Sequence, residues 1–225
     1  MFKRIQGFAM VILMLYAAAT LAEKQPATDQ EKISYAIGVQ LSQNILRQSL
    51  QIEPESFIQA ISDVLNKKDL KLAPEEMQQV MVNYQQQQMQ KKGELAATNK
   101  AAGEKFLAEN KAKPGIVTLP SGLQYKIITA GNGKKPTPAD TVTVHYEGSL
   151  LNGKEFDSSY KRGEPIQLQV NGVIKGWQEA LPLMPTGSKW QVFIPAELAY
   201  GEGGAGNDIG PNSTIIFNIE LISIN

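Results

Sequence analysis

One histidine, His145, and no cysteine bound the chemistry available to these 225 residues. Without Cys there is no thiolate nucleophile, disulfide, thiolate metal site or lipid-modified N-terminal Cys. A Ser-His-Asp triad would have to use His145, and a metal site built from several histidines is ruled out. Thr141, Thr143, His145 and Glu147 alternate with Val142, Val144 and Tyr146. His145 is therefore expected on the solvated face of a strand, beside Glu147, and not in catalysis. Gly201, Gly203 and Gly206 spell GxGxxG, which cradles a pyrophosphate only between a strand and the N-terminus of a helix. Here a strand pattern follows and no βαβ unit surrounds it, so a flexible loop is expected. Asn212-Ser213-Thr214 matches a glycosylation sequon, a pattern too common by chance to carry weight. Neither a metal nor a cofactor is expected.

The elements around these residues fall into zones, and together they predict an α+β chain. Residues 115–225 hold most of the Gly and Pro, punctuating short runs of period-two alternation. Leu123, Tyr125 and Ile127 share a face, as do Trp190, Val192 and Ile194, and Ile215, Phe217, Ile219 and Leu221. Only Val173 to Leu181 reads as helical, which predicts an antiparallel sheet wrapped around one short helix.

Residues 23–72 read as helices. Thr28 followed by Glu31 fits a capping box, and Ile33, Ile37, Leu41 and Ile45 recur every four residues behind it. Pro54 suits the first turn of a second helix with Phe57, Ile58, Ile61, Val64 and Leu65 as its apolar positions. Two short helices cannot bury both stripes on each other, so the surplus predicts a homodimer interface within 28–72; a small monomeric cap is the alternative. Residues 73–114 read as one long connecting helix opened by Pro74, Glu75 and Glu76 and closed by Pro114-Gly115. Beyond Gln85 large apolar side chains are rare, as in a solvated helix bridging two domains, with bends expected at Gly93 and Gly103. The run Gln85–Gln88 is equally compatible with local fraying.

Residues 1–22 read as a secretory signal: Lys3 and Arg4, an apolar run from Gly7 to Ala19, then Thr20 and Ala22 before Glu23. The apolar run is shorter than the ~20 residues that usually span a bilayer, which favours cleavage over an uncleaved anchor. Basic and acidic residues balance at 22 each; losing Lys3 and Arg4 leaves 20 basic against 22 acidic. No strong field of one sign favours nucleic acid as partner. The combination predicts an exported protein of a bacterial periplasm or outer surface.

Val142–Gly148 (VTVHYEG), Phe156-Asp157-Ser158-Ser159, Val173–Trp177 (VIKGW), Leu198–Gly201 (LAYG) and Ile209–Phe217 (IGPNSTIIF) follow in order along 115–225. In these blocks the chain resembles the FKBP-type prolyl isomerases. With the signal, the helical module, the long helix and SGLQYKII entering the domain, it resembles the macrophage infectivity potentiator (Mip) group of Gram-negative bacteria, which are homodimers. The resemblance implies an FKBP-like C-terminal domain acting on proline-containing polypeptides, with macrolides as possible ligands.

Such chemistry breaks no bond. Rotation about a peptide C–N bond faces ~18–20 kcal/mol of partial double-bond character and, at proline, takes tens to hundreds of seconds unaided. An apolar cleft that binds the twisted amide better than the planar one is sufficient. The resemblance implies that Trp177 floors this cleft and that Tyr146, Phe156, Val173, Ile174, Tyr200 and Phe217 wall it. It adds Ile209, and also Ile166 and Leu168, which stand where the family often has aromatic rings. Its catalytic candidates are Asp157, Tyr200 and Tyr146. Asp157 either acts on the twisting amide or orients Tyr146, Tyr200 donates its hydroxyl to a substrate carbonyl, and the Ile174 N–H anchors another. Taken alone, Trp177 and Phe217 would be ordinary core.

Gly172 stands where an acidic side chain is frequent in the family, and Ala205 and Asp208 replace bulkier or apolar residues. These departures predict weaker macrolide binding and an altered preference for the residue before proline. A competing function is that of a dimeric holdase whose isomerase activity is incidental, and a third is a surface virulence factor. The set Tyr146, Phe156, Asp157, Trp177 and Tyr200 favours catalysis, with chaperone activity alongside.

Overall fold

The computed structural model describes residues 25–48 and 50–225; the expected signal, 1–22, and its cleavage point lie outside the described residues. The chain divides between Leu50 and Gln51 into two compact units. In the first, helix α1 (Asp29–Arg47) begins at the expected capping box. The Thr28 hydroxyl accepts from Glu31 N–H at 3.2 Å, while the Glu31 carboxylate accepts from Thr28 N–H at 3.0 Å. No residue of α1 is buried, and Ile33, Ile37 and Leu41 stand exposed along one side.

In the second unit, α2 (Pro54–Leu65) starts with Pro54 at the predicted position, and the Glu53 carboxylate accepts from Glu55 and Ser56 N–H. Asp63 is buried and takes a hydrogen bond from Gln59 Nε2 at 2.7 Å. Helix α3 (Pro74–Asn110) then runs 37 residues, roughly 55 Å at 1.5 Å per residue.

The second half of α3 departs from the sequence expectation in one respect. The helix is continuous through Gly93 and Gly103, but it is docked on the sheet domain instead of being solvated all round. Asn99, Gly103, Phe106 and Asn110 recur at helical spacing on the docked face. Phe106 meets Phe193 with ring centroids 5.7 Å apart. Asn110 Nδ2 donates to Gln124 Oε1 at 2.9 Å, and Gln124 Nε2 donates to the Leu107 carbonyl at 2.8 Å. One buried amide thus donates to the other, which in turn donates to the α3 backbone. Gly103 is buried because a Cβ there would collide with the Thr214 side chain. Its glycine serves close approach.

Seven strands follow: β1 (Ile116–Thr118), β2 (Gln124–Thr129), β3 (Thr141–Leu150), β4 (Glu155–Ser158), β5 (Ile166–Gln169), β6 (Lys189–Ile194) and β7 (Ile215–Ile224). They form one antiparallel sheet in the order β1-β2-β6-β7-β3-β4, with β5 also on β3. The pleat of β3 sends Val142, Val144 and Tyr146 inward, opposite Ile224, Leu221 and Ile219 of β7. Trp190, Val192 and Ile194 of β6 face the same core, which closes over α5 (Lys175–Ala180). The helix predicted over 173–181 thus starts later, because Val173 and Ile174 are extended, and gives way to a 3-10 turn at Leu181–Leu183 containing Pro182.

The far edge of β3 is shared. β5 pairs with Thr141–Val144, and β4 with the stretch from Glu147 to Ser149. Between them lies α4 (Ser159–Arg162), a four-residue helix absent from the sequence reading. Ser158 caps it by accepting from Lys161 N–H, and Gly163 ends it in the left-handed region at φ 82°. His145 is not solvated as expected. It is half-buried, stacked 4.4 Å from the Tyr160 ring and hydrogen-bonded through Nδ1 to Ser159 Oγ at 2.9 Å.

Gly103→Ala tests the seam between α3 and the sheet. Helix propensity alone would favour the change by roughly 1 kcal/mol, whereas overpacking against Thr214 costs about 1–3 kcal/mol. The expected outcome is a lower denaturant midpoint, with Thr214→Ala in the same chain recovering most of it.

Candidate active site

Four aromatic rings meet edge to face at the open end of the core. Trp177, carried by α5, lies 5.3 Å from Tyr146 of β3 and 5.1 Å from Phe217 of β7, at interplanar angles of 84° and 85°. Phe156 of β4 stands 5.6 Å from Phe217 at 89°. Edge-to-face contacts of this kind add to ordinary burial and fix ring orientation. Gly148 makes the cluster possible: a Cβ there would come within 2.6 Å of the Phe217 ring and 2.7 Å of Phe156. Sequence reading had quoted this glycine without giving it a role.

The rings enclose one side of a cleft of ≈ 350 Å³. Tyr146, Phe156, Asp157, Trp177, Tyr200 and Phe217 all line it, as do Val173 and Ile174 from the extended segment before α5 and Ile166 and Leu168 from β5. Gly172 joins them at the rim. Ile209 does not line it, contrary to expectation. Its side chain is buried in the core, and its backbone pairs with Ala205 to brace the loop after Tyr200. An apolar side chain in that loop is drawn inward because the glycines around it offer no other cover.

The polar side of the cleft is a closed ring of three groups. The Tyr146 hydroxyl donates to Asp157 Oδ2, Arg162 Nη1 donates to Asp157 Oδ1, and Arg162 Nη2 donates to the Tyr146 oxygen at 2.8 Å. The guanidinium carbon also lies 5.4 Å from the Tyr146 ring centroid. Both Asp157 oxygens are therefore engaged, so the carboxylate orients Tyr146 and is not presented bare to a substrate. Arg162 is the residue that sequence reading missed. Its signal was the Ser158 cap and Gly163 stop that place it on a short helix folding back over β4.

Electrostatics follow from this ring. Burial alone would push the Asp157 carboxyl up, but the hydrogen bonds from Tyr146 and Arg162 and the charge of Arg162 outweigh it and hold the group below the ordinary carboxylate range. Burial and the bond to Asp157 push the Tyr146 hydroxyl up, and burial with the nearby Asp157 charge does the same for Tyr200. At neutral pH the cleft thus holds one anion, one guanidinium and two protonated phenols.

Fold and cleft together define an antiparallel-sheet domain that carries an apolar, aromatic-lined cleft beside its short helix. Residues 132–222 match the profile of the FKBP-type peptidyl-prolyl cis-trans isomerases, and residues 30–127 match the domain amino terminal to FKBP-type peptidyl-prolyl isomerases. The outer membrane protein MIP of Legionella longbeachae is 48% identical over 224 residues, covering 98% of this chain and 94% of that protein. The peptidyl-prolyl cis-trans isomerase Mip of Coxiella burnetii is 42% identical over 201 residues, covering 88% of this chain and 87% of that protein. The crystal structure of FkpA from Escherichia coli superposes with a TM-score of 0.63 at 33% identity, covering 89% of this chain and 99% of that one. The chain belongs to the FKBP-type peptidyl-prolyl cis-trans isomerases, a family of enzymes acting on proline-containing polypeptides.

A depressed folded-state carboxyl contributes stability above the unfolded-state pKa, ~3.9 for Asp, and loses it as pH falls through the folded value. The Asp157 carboxyl followed by NMR should titrate below that reference. In Arg162→Leu the midpoint should move upward, carrying the onset of acid unfolding with it. An unchanged Asp157 midpoint would mean that Arg162 does not set its charge.

Proposed function

We propose that the cleft seats the prolyl ring of an exported polypeptide over Trp177 and binds the preceding amide better when it is twisted than when it is planar. The observation that carries this reading is the pairing of an apolar four-ring cleft with an Asp157 whose two oxygens are already committed. Such a carboxylate is suited to fixed electrostatics and poorly suited to nucleophilic or proton-transfer work. Phe156, Val173, Ile174, Ile166, Leu168 and Phe217 supply walls that strip water from the amide. Water favours the charge-separated resonance form of the planar amide, so its removal lowers the barrier to rotation. Asp157 and Arg162 hold the Tyr146 ring as a rigid wall, and Tyr200 donates from the opposite rim to a substrate carbonyl.

Two identical arms extend this function. The bare stripe Ile33, Ile37 and Leu41 on α1 supports a homodimer through residues 28–72, in which a pair of weak sites gains avidity for one unfolded client. Chaperone activity alongside isomerisation follows from that arrangement. The apolar run at 7–19 and a relative named for the outer membrane support export to the periplasm or cell surface. Among the described residues no helix is long and apolar enough to cross a membrane.

The decisive measurement is the exchange rate of a short X-Pro peptide with the protein and with Asp157→Ala. Losing a charged hydrogen-bond partner predicts roughly a tenfold to hundredfold drop in kcat/KM. A parent protein that leaves exchange unaccelerated while suppressing aggregation of an unfolded client would make it a binder instead. For the dimer, sedimentation should show two chains, and Ile37→Lys with Leu41→Lys should yield monomers with an undiminished rate per chain on the short peptide. A parent that sediments as a monomer would contradict the interface.

A further inference from the structure

The docked half of α3 reaches the cleft through a single loop. That loop leaves the wall at Tyr200, turns through Gly201–Gly203 and returns along 210–214 to β7, which carries Phe217. Its two legs are tied, since Asn212 N–H donates to the Gly201 carbonyl at 2.8 Å. The outgoing leg, with Tyr200 beside it, therefore takes its place from the returning one. The returning leg is held from outside by α3. Asn99 Nδ2 donates to the Pro211 carbonyl at 2.8 Å and to Ser213 Oγ at 3.3 Å. A Cβ added to Gly210 would stand 3.0 Å from Asn99 Nδ2, so backbone and amide are already in close contact. A groove of ≈ 190 Å³ lies beside Asn99, between Ala102, Leu150 and Ser213. The directional hydrogen bonds from Asn99, together with the close approach of Gly103 to Thr214, thus register the loop.

We propose that Asn99 is a positioning residue of the isomerase site, acting through the 210–214 leg to set the Tyr200 wall. This rests on the cleft being the isomerase site. The connecting helix is then part of the catalytic frame as well as a spacer, and its registry on the loop tunes turnover.

The test uses the full chain and a short X-Pro peptide, with kcat and KM measured separately and folding checked by circular dichroism at the assay temperature. Asn99→Ala should lower kcat/KM about threefold to tenfold, the effect of losing one positioned hydrogen bond. Asn110→Ala, which breaks the same seam away from the loop, should lower thermal stability and leave kcat/KM unchanged. In a Tyr200→Ala background, Asn99→Ala should have no further effect, because its action would pass through the missing ring. Should Asn99→Ala not fold, Asn99→Leu keeps a similar volume and removes the amide donors without adding a charge. The positioning role is overturned by an Asn99 variant at the parent rate, by equal slowing in Asn110→Ala, or by full multiplication of the Asn99 and Tyr200 effects. A Tyr200→Ala protein at the parent rate would instead overturn the cleft assignment, and the positioning role with it.

Discussion

Tyr146 is where core and cleft become one object. The pleat of β3 buries its ring beside Trp177 and Phe217, while its hydroxyl reaches the rim and is taken by Asp157 and Arg162. A buried phenol needs a partner for its hydroxyl, and that need brings β4 and α4 onto the edge of β3. The remaining walls are then determined by what can approach those rings. Gly148 must lack a side chain, Phe156 must cross over it, and β5 must stop short enough for α4 to fold back. A one-residue slip of β3 would put His145 in the core and Tyr146 on the outer face, and neither core nor cleft would survive.

Period-two alternation made the inner faces of β3, β6 and β7 legible from sequence, because burial on one side leaves a repeating mark. The same mark misjudged His145. Alternation says which face a residue occupies but not what covers that face, and Tyr160 on the unread helix α4 covers this one. Four residues are too few to show helical periodicity, so Arg162 was hidden even though its cap and stop were written in Ser158 and Gly163. Ile209 went astray for a related reason. Its place in the family motif suggested the cleft, but its local pairing with Ala205 turns it into the core. The candidate residues on strands, those beside α5 and Tyr200 line one cleft, and the differences from the sequence reading lie at Ile209 in the loop and at the four-residue helix.

The second half of α3 shows how a helix can dock without an apolar stripe. Beside the ring contact of Phe106 on Phe193, its contacts are made by Asn99, Gly103 and Asn110, residues that a hydropathy count scores as solvated. Amide side chains bond to backbone carbonyls and to a buried glutamine, and glycine lets two backbones close on each other. Leu95 and Met89, the large apolar residues between Gln85 and Lys105, remain substantially exposed. Polar docking is directional where apolar docking is tolerant. A helix held this way keeps one registry on the domain it carries, which is what a long arm needs if its far end belongs to another assembly.

The composition of the cleft also limits how the enzyme can work. Ile166 and Leu168 give aliphatic walls where aromatic ones would grip a flat ring more firmly, and Gly172 leaves the rim open beside them. For the cleft as proposed, aliphatic walls predict modest ground-state affinity for an isolated prolyl ring. Weak ground-state binding does not by itself slow catalysis, since only interactions stronger in the twisted state than in the planar one lower the barrier. In the mechanism proposed above, those interactions come from desolvation by the whole wall and from the oriented dipoles at the rim, the Tyr200 hydroxyl among them. On that proposal the placement of the hydroxyl bears on the rate as directly as the size of the apolar surface. Its loop contains Gly201, Gly203, Gly204 and Gly206, which hold little conformation by themselves. Order is supplied by contacts within the loop and beyond it, among them the Ala205–Ile209 bridge, the Lys154–Asp208 ion pair at 2.8 Å and the α3 contacts. The exposed ion pair contributes little on its own. The bridge and the α3 contacts, including the hydrogen bonds from Asn99, are among the constraints that keep a glycine-rich loop in one place beside the cleft.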